Sequence, residues 1–243
     1  MRLAAVQEGK FCEQHRRKEH EMQEKEDVNV IRMSYDEAPE NEWNRTAGTI
    51  EYCITARMLE RTIRPGESVL DIGGGPGRYS LWLAEKGCKA ALFDLSSGNV
   101  AFASRKTIQM GLPLQTICGN ALDETLYPEG RFDHVLVMGP MYHLFQEKDR
   151  RKVIENALKH LKSGGKIYIA FINLMAGLYY YLDEWPEGFE EELKLGNEFG
   201  ECVLEYRSWQ GKAFTEARFD TLSDILHFTD SLGLKKVTIF GQE

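Results

Sequence analysis

Short apolar runs alternate with amphipathic stretches along the middle of the chain. Five runs have the length and composition of buried strands, at 69–72, 90–93, 114–118, 135–138 and 166–172. Between them, apolar residues recur at helical spacing, and Gly87 and Gly111 stand where helices commonly end. This alternation predicts one mostly parallel, twisted α/β sheet with right-handed crossovers and helices on both faces.

The chain ahead of this alternation has two parts. Mixed charges dominate the first part, which is typical of a solvated helix. From Tyr35 onward, apolar residues recur among charged ones up to Pro65-Gly66, a combination that stops helices. We therefore expect a charged N-terminal extension over 1–34 and a helical cap over 35–66.

The chain beyond the alternation is irregular. Residues 173–219 are rich in acids and aromatic residues, and their end has the pattern of a hairpin turning at Gln210-Gly211. Helical spacing returns over 221–232, and a last strand is expected over 236–240. With 243 residues the chain has room for one large α/β domain and a small addition. We expect that domain to span 67–243, with a lid insertion at 173–219.

The most informative stretch runs from Val69 to Ser80, V-L-D-I-G-G-G-P-G-R-Y-S. A strand ending in an acid leads into four glycines and a proline, and a helix follows. Glycines remove every Cβ where the backbone turns, and the amide groups of the helix N-terminus face the same space. This predicts a ligand against bare backbone, although a glycine turn without a ligand is the alternative.

Two ligand classes are excluded by the order of residues in this loop. A nucleoside triphosphate loop ends in Gly-Lys-Ser/Thr, whereas this chain has Gly77-Arg78-Tyr79. The dinucleotide pattern G-x-G-x-x-G fails in both possible registers. Starting from Gly73, Arg78 stands where the last glycine is required, and starting from Gly74, Pro76 stands where the second is required. What remains is acid-x-Gly-x-Gly-x-Gly, beginning at Asp71.

With this motif the chain resembles the class I S-adenosylmethionine-dependent methyltransferases. The resemblance covers roughly residues 35 to 240, with its specific motifs in 69 to 144. It implies a Rossmann-like class I methyltransferase fold, S-adenosylmethionine as the cofactor and methyl transfer as the reaction. The cofactor contacts that it implies come from two acids and from the loops after the first four strands: Asp71, Gly73, Gly74, Gly75, Gly77, Asp94, Leu95, Asn120, Ala121, Met138 and Gly139.

Asp94 follows the second strand, 23 positions after Asp71. This spacing places both acids at the carboxyl ends of neighbouring parallel strands, where open α/β sheets bind ligands. A carboxylate there can accept two hydrogen bonds from a ribose diol. The alternative role for Asp94 is to cap the helix that begins near 96–99.

Two further contacts follow from the resemblance alone. Leu95 is expected to pack on one face of the adenine. Many relatives carry an aspartate after the third strand that accepts from the adenine amino group, and this chain has Asn120, whose carbonyl can do the same.

The exit from the fourth strand carries the catalytic candidates Tyr142 and His143 in the sequence G-P-M-Y-H-L, 139–144. The resemblance places this exit beside the sulfonium methyl group. His143 is either a general base or a side chain that only hydrogen-bonds the lid or backbone. Tyr142 is expected to position the acceptor or to contact the methionyl part of the cofactor. No acid or amide precedes Pro140, which disfavours methylation of base amino groups.

The predicted acceptor contacts come from the cap and the lid. Tyr35, Trp43 and Arg45 are the candidates in the cap, and Tyr179 is the candidate in the lid. For the aromatic residues, ordinary core packing is the alternative.

The end of the chain departs from the family pattern. Class I methyltransferases usually finish with a sixth strand and an antiparallel seventh strand, whereas only one strand is predicted here after the last helix. We therefore expect the last antiparallel strand to be missing or replaced.

Composition limits the remaining possibilities. Acidic residues outnumber basic ones by 38 to 30, which argues against a broad nucleic-acid surface. Five cysteines without a C-x-x-C pair predict reduced thiols in the cytoplasm. No run approaches the length of a membrane span, and neither zinc-like Cys/His spacing nor carboxylates after the fourth strand indicate a metal.

The predicted function is direct methyl transfer to a small-molecule acceptor by a monomer or homodimer. The alternatives are a regulator or scaffold that binds S-adenosylmethionine without transferring methyl groups and, more weakly, an RNA or protein methyltransferase.

Overall fold

The computed structural model describes residues 28–196, 198–235 and 238–241. Its centre is a parallel five-stranded sheet in the order β3-β2-β1-β4-β5. The strands are β1 Ser68–Ile72, β2 Lys89–Asp94, β3 Gln115–Cys118, β4 Phe132–Val137 and β5 Leu161–Ile169. Because the order reverses between β1 and β4, their carboxyl ends flank the crevice in which such sheets bind ligands.

Helices cover both faces of this sheet. In chain order, the helices of the described residues are α1 over residues 28–36, α2 Pro39–Arg45, α3 Ile50–Glu60, α4 Arg78–Glu85, α5 Ser97–Met110, α6 Glu147–Lys159, α7 Leu174–Glu184, α8 Pro186–Leu195, α9 Glu198–Glu205 and α10 Leu222–Ser231. Along β1, Leu70 and Ile72 pack with residues of α6 and α10, whereas Val69 packs with α3 and α4. Successive side chains of a strand point to opposite faces, so this division confirms the predicted α/β fold class.

The fifth strand begins earlier than the pattern predicts. The sequence indicates a helix over 146–162 that ends at Gly164-Gly165, but α6 ends before these glycines and β5 contains both. The pairing of β5 with β4 is irregular here. A Cβ atom on Gly165 would lie 2.8 Å from the backbone oxygen of Asp133. The glycine therefore allows two strands to approach closely, and it does not end a helix.

Three helices, α1 to α3, lie ahead of the sheet, where the sequence predicts a cap. Residues 1–27 of the predicted extension lie outside the described residues, and α1 runs through the predicted boundary at residue 35. The helix α3 begins after Thr49, whose Oγ1 accepts a hydrogen bond from Tyr52 N at 3.2 Å. Leu59 of α3 is buried against the central sheet. The division into extension, cap and main domain stays a prediction.

A second, smaller sheet follows the first, and we call residues 172–220 the appended layer. Its strands are β6 Ile172–Asn173, β7 Trp209–Lys212 and β8 Glu216–Asp220, in the order β6-β8-β7. The helices α7 to α9 pack on this sheet around an aromatic cluster that contains Tyr181, Phe189, Phe199, Trp209 and Phe219. The appended layer therefore has a hydrophobic core of its own.

The predicted hairpin exists, but its turn lies elsewhere. Strands β7 and β8 pair antiparallel, and residues 213–215 connect them, so a turn at Gln210-Gly211 is wrong. A Cβ atom on Gly211 would lie 2.7 Å from the ring of Trp209. Gly211 therefore lies inside a strand, and a glycine is needed there because the indole ring packs against its backbone.

The predicted last strand is not found. Residues 238–240 have no strand conformation, and positions 236 and 237 lie outside the described residues. Within the described ranges no antiparallel strand joins the central sheet. None of the helices in these ranges has the length and apolar character needed to cross a bilayer. Cys53, Cys88, Cys118 and Cys202 carry free thiols.

Candidate functional site

The glycine loop after β1 is held by backbone contacts. Gly73, Gly75 and Gly77 have φ angles of 69°, 57° and 87°. These lie in the left-handed region, where a residue with a side chain is strained and glycine is not. Gly73 N donates to Phe93 O of β2 at 2.7 Å. A Cβ atom on Gly73 would lie 2.6 Å from Cδ of Pro140, and one on Gly74 would lie 2.5 Å from Asp71 Oδ2. These glycines let the loop pack against its neighbours.

Gly75 differs from the other glycines of the loop. A Cβ atom placed there would have one described neighbour, Asn99 Nδ2, at 3.9 Å. Space therefore remains beside this part of the backbone, next to the amino end of α4. Such a cradle suits a ligand that packs against bare backbone.

Asp94 stands at the end of β2 and faces this loop. It is 8% exposed, and its Oδ2 accepts from Gly75 N at 2.8 Å. Its Oδ1 accepts from Ser96 N at 2.9 Å and from Asn99 Nδ2 at 3.4 Å. Burial raises the pKa of Asp94, and these hydrogen bonds oppose the rise. A carboxylate has about four acceptor positions, so Oδ2 retains one for a ribose hydroxyl.

The cap of α5 is a different residue. Ser96 Oγ accepts from Asn99 N at 3.0 Å and so caps the helix. The carboxylate of Asp94 instead holds the glycine loop through its hydrogen bond from Gly75 N. The capping alternative for Asp94 is wrong.

Asp71, at the end of β1, is almost fully buried at 1% exposure. Its Oδ2 accepts from Ser80 Oγ at 2.6 Å, and its Oδ1 has no hydrogen-bond partner in the described part of the chain. Burial raises its pKa to about 7, with a further rise from the charge of Asp94. A buried hydrogen-bond acceptor without a partner destabilises the fold, so this site favours a ligand or water that donates a hydrogen bond to Oδ1.

The loop after β3 carries the next predicted contacts. Asn120 Oδ1 accepts from Leu122 N at 2.9 Å, which fixes the side chain in a local turn. The backbone oxygen of Ala121 accepts from Tyr127 OH at 2.8 Å. Leu95 is half-buried, as are Asn120 and Ala121. These groups follow strands β2 and β3 at the carboxyl edge of the central sheet.

The exit from β4 packs directly onto the glycine loop. A Cβ atom on Gly139 would lie 2.3 Å from Gly73 O. A 3-10 turn, Pro140–Tyr142, follows and is closed by His143 N donating to Pro140 O at 3.0 Å. Met138 and Gly139 are half-buried, whereas β4 itself is fully buried over Val135, Leu136 and Val137. The turn thus brings Tyr142 and His143 to the crevice.

His143 is held at both ring nitrogens. Nδ1 lies 2.9 Å from Glu216 O, the first residue of β8, and Nε2 lies 3.0 Å from the hydroxyl of Tyr35 in α1. A carbonyl oxygen can only accept, so the network assigns the proton to Nδ1 and leaves Nε2 to accept from Tyr35. Burial lowers the pKa of His143 to about 4. His143 is therefore a neutral bridge between the cap and the appended layer.

The end of α1 packs against the start of α5. Asp36 Oδ1 accepts from Ser96 Oγ at 2.7 Å and from Gly98 N at 2.9 Å. A Cβ atom on Gly98 would lie 2.4 Å from Asp36 O, so α1 and the start of α5 are in close backbone contact. Burial acts to raise the pKa of Asp36, but the hydrogen bonds outweigh it and the pKa is lowered. No pattern along the chain predicts this contact.

The four predicted acceptor contacts are placed differently. Tyr35 reaches the crevice through His143. Trp43 instead stacks on the Arg78 guanidinium, 3.5 Å from its ring centroid, and its backbone oxygen accepts from Arg78 Nη2. This contact ties α2 to the start of α4, so packing explains Trp43.

Arg45 and Tyr179 are the more exposed of these candidates. Arg45 pairs with Glu42 at 2.9 Å and with Glu51 at 3.2 Å at the edge of the cap. The Tyr179 side chain is 61% exposed on α7. The described contacts do not bring either residue against His143, and their role toward the acceptor stays a prediction.

Two residues near His143 were not predicted. Phe214, in the turn between β7 and β8, has its ring centroid 6.1 Å from that of His143 and 6.5 Å from that of Tyr142. Glu216 contributes only its backbone oxygen. No sequence pattern marks a residue that acts through its backbone, and Phe214 reaches the site only because the hairpin turns at 213–215.

The described residues do fit S-adenosylmethionine. The unpartnered Asp71 Oδ1, the remaining acceptor position on Asp94 and the open space at Gly75 lie along one edge of the sheet. In the described ranges no three His, Cys, Asp or Glu side chains are grouped as metal ligands.

Comparison with known proteins agrees with this geometry. The family described as "Methyltransferase domain" matches residues 69–165. The chain is similar to a ubiquinone biosynthesis O-methyltransferase of Paramagnetospirillum magneticum, at 30% identity over 75% of this chain and 75% of the relative. It is also similar to a sarcosine/dimethylglycine N-methyltransferase of Halorhodospira halochloris, at 30% identity over 67% of this chain. The chain spans 54% of that relative's length.

A solved structure shows the same fold. The crystal structure of magnesium protoporphyrin IX methyltransferase from Synechocystis, which has S-adenosylhomocysteine bound, superposes with a TM-score of 0.57 over 85% of this chain and 89% of that one. At 16% identity this likeness concerns the fold alone.

Proposed function

Because this chain belongs to the class I S-adenosylmethionine-dependent methyltransferases, we propose that it transfers the methyl group of S-adenosylmethionine to a small-molecule acceptor. The observation that carries this proposal is the pair of acids beside the glycine loop. Asp94 Oδ2 holds Gly75 N at 2.8 Å, and Asp71 Oδ1 is buried without a partner. Both features favour a ligand that donates hydrogen bonds to carboxylates.

The cofactor supplies a methyl group already activated by positive sulfur, so the protein needs to orient an acceptor and exclude water. The chain's own residues are arranged for these tasks. Asp94 and the loop after β3 would hold the nucleoside end of the cofactor, and Gly139 packs on the glycine loop beside them. Tyr35, Tyr142 and His143 enclose the crevice beside the 3-10 turn.

The relatives support a small acceptor but differ in the atom that receives the methyl group. The Halorhodospira relative is an N-methyltransferase, and the Paramagnetospirillum relative is an O-methyltransferase. The acceptor side of this chain includes the cap and the appended layer, which the family match over 69–165 does not cover. We infer that the cap and the appended layer contribute to the choice of acceptor.

Two measurements test this function. Calorimetry with S-adenosylhomocysteine measures the cofactor half, and release of S-adenosylhomocysteine from a panel of small acceptors measures the transfer half. We expect binding by the wild type and turnover with at least one acceptor class. Absence of binding at millimolar ligand would refute the proposal. Tight binding with no turnover across the panel would instead favour a regulator or scaffold.

A further inference from the structure

The hydrogen bonds of His143 restrict what it can do for an acceptor. Its Nδ1–H is directed at the Glu216 carbonyl at 2.9 Å, and its Nε2 is 3.0 Å from the Tyr35 hydroxyl. A general base needs a lone pair within reach of the acceptor's proton. The Nε2 lone pair of His143 is already occupied by Tyr35, which comes from another element of the fold.

Proton affinity points the same way. The charged and titratable groups around His143 are Tyr35 from α1, Tyr142 from the 3-10 turn, and Glu42 with its partner Arg45 from α2. Burial outweighs the favourable charge of Glu42 and lowers the pKa of His143 to about 4. Removing a proton from a phenol of pKa about 10 would then be disfavoured about a million-fold. His143 is a poor base for a hydroxyl or a thiol.

Three aromatic rings lie close to the imidazole ring of His143. The ring centroid of His143 lies 5.5 Å from that of Tyr35, 4.6 Å from that of Tyr142 and 6.1 Å from that of Phe214. The three pairs are all edge-to-face. Aromatic faces attract a cation, and most strongly where water is excluded. Such surroundings suit an acceptor that becomes positive as it is methylated.

We propose that the acceptor is an amine that enters with a free lone pair, and that His143 is a positioning residue, not a base. This inference rests on the proposed methyl transfer. The nitrogen lone pair forms the N–C bond as the C–S bond breaks, and the electron pair of that bond stays on sulfur. The positive charge passes from sulfur to nitrogen, and a secondary amine releases its proton to solvent afterwards. A carboxylate also needs no base, but among the described residues around Tyr142 the acids Glu42, Glu51 and Asp94 outnumber the one cation, Arg45, which disfavours an anionic acceptor.

The first experiment compares nucleophiles on one carbon skeleton. A matched panel of secondary amine, phenol, thiol and carboxylate is assayed by release of S-adenosylhomocysteine. We expect the amine to exceed the others in kcat/KM by at least tenfold. For amines of different basicity, kcat/KM should level off at the pKa of each amine. A preference for the phenol, or a plateau at one fixed pH for every acceptor, would overturn this inference and leave methyl transfer intact. No turnover with any member, despite cofactor binding, would remove both.

The second experiment separates positioning from base catalysis. Loss of a general base typically costs about 10²- to 10⁴-fold in rate. We expect His143→Gln to lower amine methylation by less than about tenfold without moving the pH profile, because glutamine can still donate to Glu216 O. His227→Gln, on the exposed face of α10, is the matched control. A fall above 100-fold together with a changed pH profile would contradict the positioning role.

The third readout needs no turnover. The ¹⁵N spectrum of the full-length protein without cofactor reports the tautomer of each imidazole, and His143→Gln identifies the signal. We expect a neutral ring protonated on Nδ1 that does not titrate between pH 5 and 8. A ring that titrates near pH 6.5 would refute the assignment.

Discussion

The two sides of the crevice are built in different ways. The proposed nucleoside side consists mainly of backbone and two acids between β1 and the start of α5, and the loop after β3 adds to it. The acceptor side is assembled from side chains of α1, the 3-10 turn and the β7–β8 turn. Its central contact, Tyr35 to His143, joins residues 108 positions apart. The first side is local in sequence, and the second depends on the complete fold.

This difference separates what is shared from what is particular. A loop made of glycine backbone has few side chains to vary, so it suits a donor common to a whole family. Side chains brought together from distant segments can vary independently, and they set the acceptor. Changes on the nucleoside side should abolish every activity, whereas changes on the acceptor side should alter selectivity.

The largest effect is expected from Gly73→Ala. A Cβ atom at this position would lie 2.6 Å from Pro140 and requires alanine at a φ of 69°. Left-handed strain costs about 1–2 kcal/mol and overpacking about 1–3 kcal/mol more. We expect the affinity for S-adenosylhomocysteine, measured by calorimetry, to fall by at least about tenfold, which is about 1.4 kcal/mol.

Gly111→Ala is the control for Gly73→Ala. Its φ is 65°, but a Cβ atom there has open space. It should therefore lose only about 1–2 kcal/mol of stability and bind the cofactor normally. Equal losses of affinity in the two variants would show that strain alone, and not the contact with the β4 exit, explains the effect.

Asp94→Asn should have the next largest effect. An amide group cannot accept from both Gly75 N and Ser96 N, which lie at 2.8 and 2.9 Å from the two carboxylate oxygens. Hydrogen bonds to a charged group contribute about 1.5–3 kcal/mol. We expect S-adenosylhomocysteine to bind about 10- to 100-fold more weakly. Asp123→Asn is the control, because Asp123 is exposed and its carboxylate accepts from Thr125, and it should leave the affinity within about twofold.

Much of the central fold could be predicted because its signals are local. Periodicity identified the strands and helices of the sheet, and glycine ends such as Gly111 were placed correctly. Local signals failed where a glycine served a distant contact. Gly165 lies against the β4 backbone and Gly211 lies under Trp209, so both look like turn residues in the sequence although they belong to strands.

The candidate site was predictable only on its nucleoside side. Asp71 and Asp94 follow strands at a spacing that the parallel sheet brings together. In contrast, Asp36 and the Glu216 carbonyl join the site through the docking of α1 and β8. The direction in which a cap helix docks is set by packing and leaves no periodic trace. Trp43 shows the limit, since the resemblance left open either an acceptor contact or core packing, and the structure places its ring against Arg78.

The two sides should also differ in the pH dependence of stability. The pKa of Asp71 is about 7 in the folded protein, against about 3.9 in an unfolded chain. Between these values only the folded state holds the proton, so the contribution of Asp71 to stability falls as pH rises from about 4 to about 7. Asp71→Asn removes this loss. We expect the variant to gain about 1–3 kcal/mol over wild type on going from pH 5 to pH 8, measured by urea unfolding.

His143 should show the opposite sign in the same measurement. Its folded pKa is about 4, against about 6.5 when unfolded. The unfolded chain therefore takes up a proton first on acidification, and stability is lost as pH falls from 6.5 towards 4. His143→Gln should flatten this acid limb, whereas Asp71→Asn should flatten the limb between pH 5 and 7. Shifts in the same direction for both variants would contradict the electrostatic contrast between the two sides.

The smallest effect is expected from Tyr179→Ala. The side chain is 61% exposed on α7, so its removal should change stability by less than about 0.5 kcal/mol. Tyr180→Ala, at 60% exposure, is the matched control. If the described arrangement is the one that binds the acceptor, both variants should keep KM within about twofold of wild type. A rise of KM above tenfold for Tyr179→Ala alone would mean that α7 moves onto the acceptor during turnover. The acceptor side would then be completed by closure of the appended layer, whereas hydrogen bonds within the chain already hold the glycine loop and Asp94.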